Sequence, residues 1–480
     1  MHVVFASAEM FPFSKVGGLA DVVGSLGSAL VAAGRKVTQF IPMTGKMDPA
    51  SLSLSRRLTP VRVWMGGRDF EVDVFERRLA SGVEVRVLRE PGLLLRDQVY
   101  CDSADEPLRW GLFARAVLAV LANEGEVVDV IHAHDWHAAL VPYHLRRTAD
   151  RPAALENAAC VLTIHNIEHQ GQCSPDLIGP LGLDPADFTP ACLEFYGRLN
   201  VLKAGIVTSD RVTTVSRTYA KEILGSAGGF GLDGVLGSLP AEVVGITNGI
   251  DTDTWDPTVD PRIEARYSDR YLEGKGRCKA ALQAELGLPV RPASPLIAMV
   301  ARLVHQKGVD LLVEASPRLL RSDVQLIVLG IGDPALERSL ETLAGRFPDK
   351  VAFRRGLDEG LSHRAFAGCD MIVVPSRFEP CGLTQMIAMR YGAVPVARRT
   401  GGLADTVVDL DPRLETGNGF VFGEAGAVPL LGAMLRGVVA MSDREGWLAL
   451  AGRLMRLDFS WRRSCARYAA LYDSVTGPVA

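Results

Sequence analysis

The short loop 375–382, PSRFEPCG, puts Arg377, Glu379 and Cys381 at alternate positions, a cation, a carboxylate and a thiol together. Before it, 371–375 is an apolar, branched run of the kind that forms a strand buried on both faces. After it, 382–391 has helical composition until Gly392. Strand-to-helix loops of a parallel sheet lie at the carboxyl edge, where ligands bind, which makes Glu379 the leading candidate for chemistry. A carboxylate beside a helix N-terminus can equally just complement the dipole, an effect worth about 0.3–1 kcal/mol. The same terminus can lower the pKa of the Cys381 thiol, the alternative being an inert buried thiol.

Other segments also set polar groups where an apolar run gives way to a helical pattern. In KVGGLADV, Lys15, Gly17 and Gly18 precede a helix with Leu19, Val22, Val23, Leu26 and Leu30 on one face. Free backbone N–H groups and the helix dipole there favour an anion, and glycines let a phosphate come close. Tight packing of helix on strand asks for the same glycines. In VVDVIHAHDWHA the strand is read over 127–131, leaving His132, His134, Asp135, Trp136 and His137 at its junction with a helix over 138–145. These histidines invite a metal, but no carboxylate spacing completes a ligand set, so none is expected.

A strand over 161–164 ends at His165 and Asn166, and 246–251 reads ITNGID. Farther on, the strand 296–300 leads to Arg302 and Lys307 ahead of a helix over 309–320. The strand 324–329 leads to Gly330 and Gly332 without a complete GxGxxG, so no dinucleotide fingerprint is supported. The string GGLAD occurs twice, at 17–21 and 401–405, each copy read as preceding a helical pattern. Trp64, Tyr100 and Trp110 could stack on sugars but read equally as ordinary core or surface aromatics.

In this order, KVGGLADV, HAHDWHA, TIHNIEHQG, ITNGID, ARLVHQKGVD and EPCGLTQ resemble the motifs of the bacterial glycogen synthases and plant starch synthases, over nearly the whole chain. The resemblance implies an α/β chain with the GT-B fold, two Rossmann-like doubly wound domains facing a cleft, and a C-terminal helix that crosses back to the first. It implies transfer of glucose from ADP-glucose to the non-reducing 4-hydroxyl of an α-1,4-glucan such as glycogen, with retention and with no metal or cofactor. It also implies Lys15 near the donor phosphates, Arg302 and Lys307 as a diphosphate clamp, Asp135 near the sugar, and Asn248 on a glucose hydroxyl. His165 would offer its backbone carbonyl to the developing cation, while Glu379 would hold sugar hydroxyls beside it. Gly17, Gly18, Cys381, Gly382, Leu383, Thr384, Gly401 and Gly402 complete the expected donor-binding set. With these groups on both halves of the chain, closure on the ligand is expected.

Two positions depart from the pattern. Leu357 stands where the family commonly has a tyrosine against the nucleobase, and Ile387 replaces the second of the paired glutamates of the broader GT-B pattern, which the glycogen synthases accept. Same-fold enzymes making sucrose or a glycolipid, and a non-catalytic glucan-binding relative, are the alternatives. The KVGGL and EPCGLTQ motifs oppose the first, and intact Lys15, Arg302, Lys307 and Glu379 oppose the second.

The elements that carry these groups need two cores, since 480 residues at 48% hydrophobic exceed what one core supports. The expected boundaries are 1–245, with 458–480 packing back on it, and 246–457 for the nucleotide-sugar domain. A net charge of −4 without a long basic run excludes a nucleic-acid face, and no apolar run is long enough for a membrane span. Eight scattered cysteines without CxxC pairs and a strand-like start without a basic n-region suggest reduced thiols in the cytoplasm.

Overall fold

The computed structural model describes residues 1–101, 103–149, 151–356 and 358–477; Leu357, expected against the nucleobase, lies outside the described residues. The chain divides into two compact units, Met1–Gly249 with Trp461–Ala480, and Ile250–Ser460.

In the first unit seven parallel strands form the heart of the sheet: Val244–Gly245, Arg211–Thr214, Ala159–Ile164, Val130–His134, His2–Ala6, Lys36–Pro42 and Glu84–Arg89, in that spatial order. Counted along the chain, the order from the far edge is 3-2-1-4-5-6-7, the doubly wound Rossmann order with one strand added. Val3, Val4, Phe5, Val161 and Leu162 are fully buried, as helices on both faces of a parallel sheet require. The stretch 48–107, where apolar residues alternate as at Val83, Val85 and Val87, extends the sheet with further strands: Arg68–Arg78 pairs antiparallel with Glu84–Arg89 and carries Val61–Met65 and Ser55–Arg56.

The helix Trp461–Thr476 belongs to this unit. Trp461, Cys465, Tyr468 and Tyr472 pack into one core with Val3, Phe5, Val23 and Leu26. Arg35 and Asp473 pair at 2.8 Å on its outer side, and the Tyr472 hydroxyl hydrogen-bonds His132 Nδ1 at 2.7 Å inside.

The second unit holds six parallel strands in the order Val351–Arg355, Gln325–Gly330, Leu296–Val300, Met371–Val374, Val394–Arg398 and Phe420–Phe422. This is 3-2-1-4-5-6, the Rossmann order again. The stretch 252–292, which Pro257, Pro261, Pro289 and Pro292 make loop-rich, contains the helix Glu273–Glu285. The cations on its buried face are satisfied: Lys279 Nζ reaches Asp370 Oδ2 at 2.7 Å, and Lys275 Nζ donates to the carbonyls of Ala367 and Tyr391 at 3.1 and 2.9 Å. Among the described residues no helix is long and apolar enough to cross a membrane.

Candidate active site

In a doubly wound sheet the crevice opens where the strand order reverses, at the carboxyl ends of the first and fourth strands. In the second unit these ends are Val300 and Val374, and the loops leaving them carry Arg302, Lys307 and Glu379. Lys307 Nζ donates to Glu379 Oε2 at 2.6 Å and the Ser376 hydroxyl to the same oxygen at 2.8 Å, while Glu379 is only 6% exposed. Oε1 has no protein partner among the described residues. Arg302 is exposed, and its guanidinium makes no ion pair or hydrogen bond among the described residues.

The two loops are strapped together. Arg377 forks onto Asp310 at 2.8 and 2.7 Å and reaches the His305 carbonyl at 2.8 Å, and its own N–H donates to the Gln306 carbonyl at 2.8 Å. Gly308 turns at φ +67°, and a Cβ there would lie 2.3 Å from the Pro375 oxygen. The Glu379 carbonyl accepts from the Gly402 N–H at 3.0 Å, which ties the 401–406 helix to the same loop.

The helix after Glu379 is Thr384–Arg390, with Leu383 at its N-cap, shorter than the expected 382–391. Gly382 precedes it at φ +72°, a left-handed turn that suits glycine. Cys381 is therefore three residues outside the helix, and it is buried. The expectation of an activated, accessible thiol is corrected: Cys101 is the one described cysteine that is not buried and is expected to be alkylated first, which peptide mapping checks.

In the first unit the reversal lies between His2–Ala6 and Val130–His134. The latter strand is three residues further along than read from sequence, so His132 and His134 are inside it rather than at the junction. The reason is that each imidazole finds a hydrogen-bond partner in place. His132 Nε2 meets Thr163 Oγ1 at 2.6 Å and Nδ1 meets Tyr472, while His134 Nδ1 lies 3.0 Å from His165 Nε2. Asp135 follows at φ +56°, with Oδ1 accepting from the backbone N–H of His165 at 2.6 Å and of Asn166 at 3.3 Å. Asn248 is 5% exposed, and its Oδ1 has no partner among the described residues.

The glycine loop differs from expectation. The N–H groups of Val16 and Gly17 are not free: both donate to Glu9 Oε2, whose other oxygen accepts from the Tyr100 hydroxyl at 3.2 Å. An internal carboxylate occupies the place at which an anion was expected. Gly18 is the first residue of the helix Gly18–Ala32, and Lys15 Nζ pairs with Asp21 at 2.7 Å, both partly exposed. The second GGLAD is likewise inside its helix, Gly401 being first at φ +43° after the Thr400 cap. Of the three aromatics, Trp110 is buried, Trp64 is exposed, and only Tyr100 touches this loop.

Burial sets the charge states. It raises Glu9 and Asp135 to about 7 against the pull of the backbone N–H groups they accept, and it lowers His132 and His165 to about 3. His2, His134, His137, His144 and His363 are also held below the ordinary histidine value, in each case chiefly by burial. Below pH 6.5 the unfolded chain protonates histidines that the folded chain keeps neutral, so this contribution to stability is lost as pH falls. Glu9 and Asp135 act oppositely, because between their ordinary values and about 7 the folded chain retains protons that the unfolded chain releases. Seven histidines against two carboxyls leave a net uptake of up to roughly five protons on unfolding near pH 5. Thermal midpoints are expected to fall steadily from pH 7 to 5; a flat profile would contradict these assignments.

Sequence reasoning missed Glu9, Ser376 and Asp310. Asp310 had a signal, an acidic residue in the first turn of the helix after Lys307, whereas the Glu9 contact depends on a loop fold that spacing does not reveal. No group of three or more His, Cys, Asp or Glu among the described residues could hold a metal ion.

Comparison with known proteins agrees with this geometry. Residues 2–238 match the family described as starch synthase catalytic domain, and residues 287–428 match glycosyl transferases group 1. The chain is 44% identical to a glycogen synthase of Anaeromyxobacter sp. (strain Fw109-5), with all of both chains covered. It is 40% identical to glycogen synthase 2 of Geobacter metallireducens, with 98% of each covered. The catalytic domain of starch synthase IV from Arabidopsis thaliana, solved with ADP and acarbose, superposes with a TM-score of 0.93 at 36% identity, covering 99% of each chain. Sucrose-phosphate synthase from Thermosynechococcus elongatus, at 21% identity and TM-score 0.64, shares the fold. Two Rossmann sheets of the same strand order, with this full-length similarity, show that the chain belongs to the glycogen and starch synthase family of glucosyltransferases, which have the GT-B fold.

Proposed function

We propose that the chain transfers glucose from ADP-glucose to the non-reducing 4-hydroxyl of an α-1,4-glucan, with retention, in glycogen synthesis. The observation that carries this reading is the Lys307–Glu379 pair at the reversal of the second sheet, with the unpaired Arg302 on the adjoining loop. Glucosyl transfer must stabilise a leaving diphosphate and an oxocarbenium-like sugar. In the second unit, Arg302 and Lys307 supply positive charge for the diphosphate, and the open Oε1 of Glu379 takes sugar hydroxyls and places negative charge beside the cation. Gly382, Leu383, Thr384, Gly401 and Gly402 shape the backbone around it. In the first unit, Lys15 offers a further cation to phosphate with Gly17 and Gly18 behind it, Asn248 Oδ1 accepts from a glucose hydroxyl, and Asp135 and His165 face the sugar.

As the bond from glucosyl C1 to the diphosphate oxygen breaks, the acceptor 4-hydroxyl oxygen bonds to C1 from the same face. Its proton goes to the leaving phosphate. Support for the ADP donor comes from the starch synthase IV neighbour, which was solved with ADP and acarbose. We assign the enzyme to the cytoplasm, where eight unpaired cysteines persist.

The test is transfer of radiolabelled glucose from ADP-glucose and UDP-glucose to glycogen, side by side. Incorporation from ADP-glucose, released by an α-1,4-specific amylase, is expected; incorporation from neither donor would overturn the reading. Lys15→Ala is expected to raise the donor KM about tenfold or more, since a charge-assisted contact is worth about 1.5–3 kcal/mol. Unchanged donor kinetics would remove Lys15 from the clamp.

A further inference from the structure

The contact of His134 with His165 fixes more than position. His134 is fully buried: Phe5 lies edge-on to its ring at 5.1 Å between centroids, and His132 lies 4.2 Å away. Its Nδ1 is 3.0 Å from His165 Nε2, and its Nε2 is buried with no partner among the described residues. One proton lies in the 3.0 Å contact, and both rings are neutral because burial disfavours the imidazolium.

Two arrangements are possible. If His165 donated from Nε2, His134 would carry its proton on its own Nε2, leaving a buried N–H with no acceptor. If His134 donates from Nδ1, its Nε2 keeps only a lone pair. Buried N–H groups without acceptors are rarer than unsatisfied acceptors, because an orphaned donor forfeits its full hydration. The second arrangement therefore prevails, and it forces the His165 proton onto Nδ1. That nitrogen has no protein partner among the described residues and is not among the buried unsatisfied atoms.

We propose that His134 is a positioning residue that sets the tautomer of His165, so that His165 presents a fixed Nδ1–H donor to a hydroxyl of the transferred sugar. The role in transfer rests on the glucosyltransferase reading above; the tautomer does not. Asp135, the residue after His134 at the end of the adjoining strand, completes the arrangement by holding the backbone N–H of His165 at 2.6 Å, so that backbone and ring are each fixed.

The experiment uses full-length enzyme labelled with ¹⁵N-histidine and long-range ¹H–¹⁵N correlation at pH 7.5, with His165 assigned by a His165→Gln variant. The expected spectrum has His165 protonated at Nδ1. Two substitutions separate the donor from the bulk of the ring. His134→Asn keeps an N–H near the place of Nδ1, whereas His134→Phe keeps the ring and loses the donor. In His134→Phe the His165 signal is expected to shift toward a tautomer mixture and kcat/KM for the donor to fall up to about tenfold. His134→Asn is expected to restore both.

A wild-type His165 protonated at Nε2 overturns the proposal, as does a His134→Phe enzyme with unchanged tautomer and kinetics. If His134→Phe fails to fold, the wild-type spectrum and His134→Asn still decide. If the wild-type enzyme transfers no glucose, the functional reading fails, while the tautomer result stands or falls on its own spectrum.

Discussion

Glu379→Gln is expected to lower kcat by about 10² or more while the protein stays folded. The buried carboxylate accepts from Lys307 and Ser376 through Oε2, and a glutamine oxygen can accept from both, so the loop 375–383 keeps its local hydrogen bonds. What disappears is the negative charge, and with it the acceptor capacity of the oxygen that faces away from Lys307. A charge that matters most as the sugar becomes cationic acts on the transition state more than on the bound substrate, so its loss appears in kcat. The ground state changes less, because Lys307 retains 20% side-chain exposure and can be solvated. Steady-state kinetics with ADP-glucose, together with a thermal midpoint within a few degrees of wild type, would agree. A near-normal kcat would remove Glu379 from the chemistry.

Lys307→Ala is a harsher change than Lys15→Ala for a related reason. Lys307 is the ion partner of the buried Glu379 side chain, whereas Lys15 pairs with a partly exposed Asp21. Removing one member of a buried pair leaves the other uncompensated, which costs about 3–5 kcal/mol in well-buried cases and less where solvent reaches the site. Lys307→Ala is thus expected to lower both stability and kcat, and Lys15→Ala mainly to affect donor binding.

These differences depend on contacts that sequence shows only in part. The strands were legible because parallel strands buried on both faces read as continuous apolar runs, as in 296–300 and 371–374. His132 and His134 broke that rule, since a strand interior that hydrogen-bonds imidazoles to threonine, tyrosine and a third histidine looks polar and read as a loop. The helix Glu273–Glu285 stayed hidden because Gly274 and Gly276 open it and lysines occupy its buried face, satisfied by carbonyls and one aspartate that only the fold supplies. Glu379 and Lys307 were each legible as candidates, but their contact spans 72 residues and follows from the strand order rather than from any spacing. Glu9 was silent for a related reason: its partners Val16, Gly17 and Tyr100 come together only once the loop after the first strand is folded.

The repeated GGLAD invites one more experiment, because its two copies look alike and are expected to respond differently. At Gly402 a Cβ would lie 1.9 Å from the Cys381 carbonyl oxygen and 2.4 Å from Cys381 C and Cα. These are backbone atoms and cannot swing aside as a side-chain end can. Gly402 also donates its N–H to the Glu379 carbonyl and accepts from Thr406 Oγ1 at 2.7 Å, so the residue is held on both sides. Gly402→Ala must therefore push the 379–381 backbone outward by more than an ångström. Overpacking of this kind costs about 1–3 kcal/mol or more, and a displacement of about 1 Å in a catalytic group can cost about 10² in rate. Gly17 is the opposite case. Its φ of −146° suits any residue, and the nearest atom to a new Cβ is the end of the flexible Glu9 side chain at 3.7 Å. Gly17→Ala is expected to leave stability nearly unchanged and to act, if at all, on donor KM, whereas Gly402→Ala is expected to lose both stability and kcat. Parallel thermal melts and donor titrations of the two variants decide the matter. Equal losses in both would mean that the glycines share one role after all, and a silent Gly402→Ala would mean that the loop carrying Glu379 is not held by this contact.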